Sequence, residues 1–453
     1  MRPILLLAPA VSLAALLSST AAHAACVESP SGTYTCTGLQ TGGLADNDDD
    51  VSVTIDLGAE VENNSGDALR VRGNDTVVVN NGTLTADGDG VDSGDNGSGL
   101  TVTNNGTINA NARGVNADDE DDVTVINTGL INAPSNDGIR LGNGANATFL
   151  NSGTLISGDE GMEAGDNATV TNGIGASITA VEDAIQIGEA ASITNSGTIQ
   201  STGTDGDGVD MDSGTVVNTA TGSISTAAPS SAGIDFDASS VLVSTIINSG
   251  TIAGGIGIQV ELGGADPANV QTQIVRTDGV IIGSGGIAMD LGAGDDQVAI
   301  FDDLTFQSTA DYALGSGAPV QIVGKTNLGV GEDTLAFLNT ADGGMIYDAV
   351  LNDLFDGGAD TDTVIFSASK SDLTASTLIA GILSLTFEDS GMAQVLNFKD
   401  FEFFTFGADR LTGLGGTTYA ATELTAPVPL PAGFVLLGGG LAALGAARAR
   451  RKG

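Results

Sequence analysis

Tryptophan is missing from this 453-residue chain, and its single histidine is His23. Without an imidazole in the body of the chain, catalytic triads that use histidine as their base have no candidate. Aromatic residues make up 4% of the sequence, too few for a platform on which sugar rings stack. Basic residues are scarce as well: 14 Lys and Arg stand against 57 Asp and Glu, for a formal net charge of −43. Five of those basic residues, Arg2, Arg448, Arg450, Arg451 and Lys452, sit in the terminal segments. Such a body repels phosphate backbones and anionic head groups, which excludes nucleic acid as a partner. Cations, calcium above all, are the natural counterions, although the charge also serves plain solubility. Glycine reaches 66 residues, but with no glycine at every third position a collagen helix is excluded. Disorder is disfavoured, because 41% of the residues are hydrophobic and they recur periodically.

What is present in abundance is a repeat. Asn80, Asn104, Asn127, Asn151, Asn172, Asn195, Asn218 and Asn248 follow one another at intervals of 24, 23, 24, 21, 23, 23 and 30 residues. Most open an Asn-x-Gly phrase that continues with Thr and then Ile or Leu, as in Asn104-Asn105-Gly106-Thr107-Ile108 and Asn248-Ser249-Gly250-Thr251-Ile252. Periods of about 20–50 residues signal a solenoid or array. Each unit holds three short pieces in which apolar and polar residues alternate, the mark of half-buried strands. One precedes the asparagine (Leu100-Thr101-Val102-Thr103), one follows the glycine turn (Thr107-Ile108), and one follows a further Gly or Ala (Gly114-Val115-Asn116).

Three strands per unit predict an all-β, right-handed parallel β-helix of about ten coils, stacked about 4.8 Å apart into a rod on the order of 50 Å long. Val91, Val115, Ile139, Met162, Ile185, Val209 and Ile234 would form one inward stack. The asparagines would form a ladder at a turn, each amide bonding the coils above and below.

Five regions follow along the chain. Residues 1–24 read as a secretory signal, with Arg2, an apolar core from Ile4 to Leu17, and Ala22-His23-Ala24 as cleavage site. Residues 25–50 hold Cys26 and Cys36, read as one local disulfide in a cap, with an incidental pair of thiols as the alternative. A solenoid needs such a lid over its terminal strand edges. Residues 51–291 carry the repeats. Residues 292–425 form a C-terminal β region, whose Phe398, Phe401, Phe403, Phe404 and Phe406 suit core closure. Residues 426–453 form a separate C-terminal tail with an apolar segment and a basic end.

The Asn-x-Gly-Thr-Ile pattern resembles autotransporter passengers and the wider pectin-lyase-like β-helix superfamily, over roughly half the chain. The chain departs from autotransporters in lacking a run of amphipathic strands for a closing membrane barrel. Gly292-Ala293-Gly294-Asp295-Asp296, Gly329-Val330-Gly331-Glu332-Asp333 and Gly357-Gly358-Ala359-Asp360-Thr361-Asp362 are similar to degraded repeats-in-toxin nonapeptides. That resemblance implies calcium at Asp296, Asp333, Asp360 or Asp362; the alternative is acidic turns inside further coils. Their separations of about 37 and 28 residues predict that neighbouring turns do not pair their ligands as contiguous nonapeptides do.

Val428-Pro429-Leu430-Pro431-Ala432, the apolar run from Gly433 to Ala447 and the basic end resemble the VPLPA variety of PEP-CTERM-related sorting signals. The run is short for a permanent span of about 20 residues, which suits transient contact with the inner membrane. The resemblance implies an exosortase-type processing enzyme as partner and delivery to the surface or extracellular matrix of a Gram-negative bacterium.

For function, these features point to a structural or adhesive protein rather than an enzyme, with extracellular polysaccharide as a candidate partner. The alternative is a polysaccharide lyase or hydrolase. In Asp210-Met211-Asp212 and Asp235-Phe236-Asp237 the acids alternate with inward apolar residues and would share one outward patch. Four carboxylates at strand spacing suit paired-carboxylate glycoside chemistry, a calcium site, or simply a solvated acidic face. The acidic loop from Asp118 to Asp122 has the same three readings.

Overall fold

The computed structural model describes residues 25–425, apart from residues 95–96, 119, 143–145, 238, 240–242, 261–270, 303–305, 308–312, 315–319, 340–349, 352–353, 390–391 and 410–412. The signal segment and the sorting motif at residues 428–432 lie outside the described residues. Among the described residues, no helix is long and apolar enough to cross a membrane.

The chain is a parallel β-helix; its central coils contribute the three strands their alternation implies, and from Thr251–Val260 onward the second and third run together as one. In one coil these are Thr101–Asn104, Thr107–Ala110 and Val115–Asn116. Each pairs in parallel with its counterpart one repeat on: Thr124–Asn127, Leu130–Ala133 and Ile139–Arg140. Alternate side chains point inward, so the core is a set of vertical stacks. Val102, Val125, Phe149 and Val170 form one, and Ile108, Ile131, Leu155 and Ile178 another. Val91, Val115, Ile139, Met162 and Ile185 form the third, all fully buried. Burying one such side chain contributes about 1.5–3 kcal/mol, and the stacks repeat it in every coil.

The asparagines close one turn of each coil from within. Asn80, Asn104, Asn127, Asn151, Asn172, Asn195, Asn218 and Asn248 are all buried. Each amide donates to the side-chain oxygen of the next, at 2.8–2.9 Å from Asn80 through to Asn248. Its second N–H reaches a backbone carbonyl in that next coil, as Asn127 does to Thr154 O at 3.1 Å. Thr277 ends the series by accepting from Asn248 at 3.2 Å. The glycine of each Asn-x-Gly phrase is required by close approach: a Cβ on Gly106 or Gly129 would strike the carbonyl of the matching glycine one coil back.

The coils continue past residue 291. Strands Thr272–Thr277, Gln297–Asp302, Thr334–Asn339, Thr363–Phe366 and Phe403–Phe406 pair in parallel in one unbroken series. The change of texture there is thus a change of turn chemistry and coil length within one rod.

Both ends are closed by antiparallel pairing. At the N-terminal end Cys26–Glu28 folds back on Thr33–Cys36, with Cys26 opposite Cys36 and the two joined as a disulfide. At the other end Leu373–Ile379, Ile382–Asp389 and Met392–Lys399 form a meander, and Thr417–Ala420 covers the edge of Phe403–Phe406. Phe398, Phe401, Phe404 and Phe406 are buried beneath this cover, in ring contacts such as Phe366–Phe406 at 5.1 Å. Phe403 instead points outward and is 38% exposed, because it alternates with inward Phe404 along the strand.

Replacing Asn127 with alanine removes a link from the middle of the ladder and strands buried polar groups on both sides. The expected loss is about 2–3 kcal/mol, measured by denaturant unfolding, against a small change for exposed Asn105→Ala. Equal effects of the two substitutions would contradict a structural ladder.

Candidate functional site

Two acidic constellations stand out, and parallel stacking builds both. In the first, Val209–Met211 lies beside Ala232–Phe236, with Asp210 directly opposite Asp235. Val209, Met211, Ile234 and Phe236 are buried in the core, so their acidic neighbours belong to the opposite face. Asp237 follows at the strand end and is exposed. Asp210, Asp212, Asp235 and Asp237 therefore do come together. They are not four solvated outward carboxylates, however: Asp235 is only 7% exposed, flanked by Asp210 in one coil and Gln259 in the next.

Burial pushes the Asp210 carboxyl up to about 7, helped by the negative charges of Asp237, Asp183 and Asp207. Gln186 opposes this by donating to Asp210 Oδ2 at 3.5 Å. Asp212 is pushed up by burial and then by Asp237, Glu189 and Asp166. The chemistry on offer is a carboxyl that holds its proton near neutrality among other carboxyl groups.

Asp183 and Asp207 were not singled out from sequence. Both stand two residues before an inward residue, Ile185 and Val209, and the same offset marks Asp67, Asp89, Asp137 and Glu160. That fixed offset was the available signal. It places the acids in a column on the turn before the third strand. Several accept the backbone N–H of the matching residue in the next coil: Asp67 from Asp89 at 3.0 Å, Asp89 from Arg113 at 2.9 Å and Asp183 from Asp207 at 2.6 Å.

The second constellation joins the three nonapeptide-like turns. Their separation in sequence leads to an expectation that the structure reverses: the turns lie in successive coils and stack directly. Ala293, Val330 and Ala359 are bridged in parallel, since each longer interval is accommodated within a single coil. Asp296 Oδ1 accepts the N–H of Gln273 at 2.6 Å, and Asp333 Oδ1 that of Asp296 at 2.7 Å. Asp362 Oδ1 accepts the N–H of Asp333 at 2.9 Å, and Glu402 Oε2 that of Asp362 at 2.9 Å. Asp296, Asp333 and Asp362 are buried, and the Oδ2 of each has no hydrogen-bond partner. Asp360 does not join this column; it sits exposed at positive φ (85°) in its turn.

Burial is the leading cause that raises these acids, to about 8 for Asp296, about 7 for Asp333 and about 6 for Asp362. Each is also pressed by the neighbouring carboxylates of the column.

No protein-family model matches the chain, nor does any curated protein or solved structure.

The raised acids fix the sign of a pH dependence. The folded chain holds these protons more tightly than the unfolded one, whose aspartates titrate near 3.8. The stability contributed by the column is therefore complete below the unfolded value, and it is lost as the pH rises through the folded values of about 6, 7 and 8. In chelator, the melting temperature of wild type relative to Asp333→Asn should fall as the pH rises from 3.8 to about 7, the unfolded and folded values of Asp333. A difference that stays constant with pH would contradict a buried, proton-holding column.

Proposed function

We propose that this protein is a structural or adhesive rod, exported to the cell surface or extracellular matrix of a Gram-negative bacterium. The observation that carries this reading is how the polar residues are used. The asparagine ladder and the turn carboxylates spend their hydrogen bonds on the neighbouring coil, and both ends of the rod are closed. Polar groups committed in this way make a scaffold, and the −43 charge left around it keeps such rods soluble and apart. Delivery through an exosortase-type enzyme acting near residues 428–432 belongs to the same proposal and rests on the tail's sequence. Mass-spectrometric sequencing of the mature termini from fractionated cells tests it. Mature chains truncated near that motif and found outside the inner membrane are expected; intact tails held in the inner membrane would contradict the sorting step.

A second reading, a polysaccharide lyase or hydrolase, is favoured by one observation: Asp210 is raised to about 7 beside Asp237 and stacked with Asp235. Against it, the charges that act on Asp210 and Asp212 are all carboxylates, which offer no cationic grip on an acidic sugar. Wild type is expected to release no reducing ends from a panel of acidic polysaccharides. Release that Asp210→Asn abolishes would establish the enzyme.

Calcium is the proposed counterion of the acidic turns at Asp296, Asp333, Asp360 and Asp362, where the buried Oδ2 atoms of Asp296, Asp333 and Asp362 supply unsatisfied oxygen. A melting temperature that rises across millimolar calcium and is blunted in Asp333→Asn is expected. A midpoint indifferent to calcium would remove the ion from this part of the account.

A further inference from the structure

A third group of acids lies coils away from both constellations, on the turn before the third strand of the central repeats. One oxygen from each of Asp137, Glu160 and Glu163 lies within 4.8 Å of the others. Asp137 and Glu160 share the turn column, and Glu163 comes from the strand Met162–Ala164 that follows Glu160. Parallel stacking thus gathers residues from adjacent coils at one corner of the rod.

The charges do not balance there. Arg113 and Arg140 both hold Asp137 Oδ2, at 3.3 and 3.4 Å. Arg140 also holds Glu163 Oε2 at 2.7 Å and reaches Asp118 at 3.5 Å. Two guanidinium groups are thereby shared among Asp118, Asp137 and Glu163, and none of the ion pairs among the described residues includes Glu160. The Asp137 side chain is wholly buried, yet among the described residues its Oδ1 finds no N–H or hydroxyl donor and faces the Glu160 carboxyl instead. A buried carboxylate oxygen without a donor is costly, and more so when it is charged.

We propose that Asp137, Glu160 and Glu163 form a binding site for a divalent cation of the calcium type. Such an ion takes oxygen ligands at about 2.3–2.6 Å, so its ligand oxygens lie within about twice that distance of one another, as these do. Glu160 and Glu163 are only half-buried, which leaves room for water to complete the coordination shell. The ion supplies the positive charge that Asp137 Oδ1 and Glu160 lack. It clamps two consecutive coils at a corner where hydrogen bonds alone leave an oxygen unsatisfied. The site is independent of the nonapeptide-like turns and of the proposed role at the cell surface.

The neighbouring triad of Asp159, Glu160 and Glu182 shares only Glu160 and has an exposed member, Glu182, which provides a control. The experiment is calorimetric titration of the full mature chain with calcium chloride, for wild type, Glu160→Gln, Glu163→Gln and Glu182→Gln. Circular dichroism in chelator first establishes that each variant is folded. Glu160→Gln is expected to remove one calcium equivalent or weaken it about tenfold or more, and Glu163→Gln to weaken it, while Glu182→Gln leaves it intact. Crystals soaked in manganese should then show an anomalous peak between Asp137 and Glu160. Unchanged titrations for folded Glu160→Gln and Glu163→Gln would overturn the proposal, as would loss of the same equivalent in Glu182→Gln. Glu163→Gln keeps the test decisive if Glu160→Gln does not fold.

Discussion

Every coil of a parallel β-helix must turn three times within one strand spacing of the coil below, and some backbone amides at those turns meet no carbonyl across the stack. Strands satisfy themselves across the stack and so do many turn amides, as those of Asn105 and Gly106 do on Asn80 O, while the remaining turn amides need side chains as partners. This constraint shapes the polar composition of the chain. At the turn after the first strand the partner is an asparagine amide, which can both donate and accept and so links coils indefinitely. At the turn before the third strand, and again in the acidic turns toward the C-terminal end, it is a carboxylate that accepts one N–H per coil. The large negative charge is therefore partly architectural.

Satisfying an amide with a carboxylate has a consequence that asparagine avoids. Each acid has two oxygens, and the amide uses one. In the acidic turns the other is buried, so the proton affinity of Asp296, Asp333 and Asp362 rises. At the corner of Asp137 and Glu160 guanidinium groups take up part of the charge and leave the remainder. Where the rod carries unspent chemistry, it is on these second oxygens, and protons or cations are what such oxygens accept.

The fold was legible in the sequence because a solenoid writes its geometry into a period. The spacing of Asn80 to Asn248, the alternation around each asparagine and the inward series from Val91 to Ile234 all correspond to stacked positions. Less legible was anything that depends on coil length alone. The turns bearing Asp296, Asp333 and Asp362 are widely separated in the chain yet adjacent in the stack, since a coil can lengthen without losing register. Burial on the outer face was also hidden. Asp235 alternates with core residues just as a solvated acid would, and only its neighbours above and below enclose it. The cation corner escaped because Asp137, Glu160 and Glu163 are unremarkable in sequence until the register brings them together.

Hydrogen exchange read at single residues tests the central claim, that side chains close the turns between coils. The amides of Gly82, Asp89, Arg113, Asp207, Asp296 and Asp333 lie in or beside turns and donate to side-chain oxygens. The account predicts that they exchange as slowly as strand amides such as those of Val102 and Ile108. Exchange at the rate of free loops, with protection confined to the strands, would contradict it.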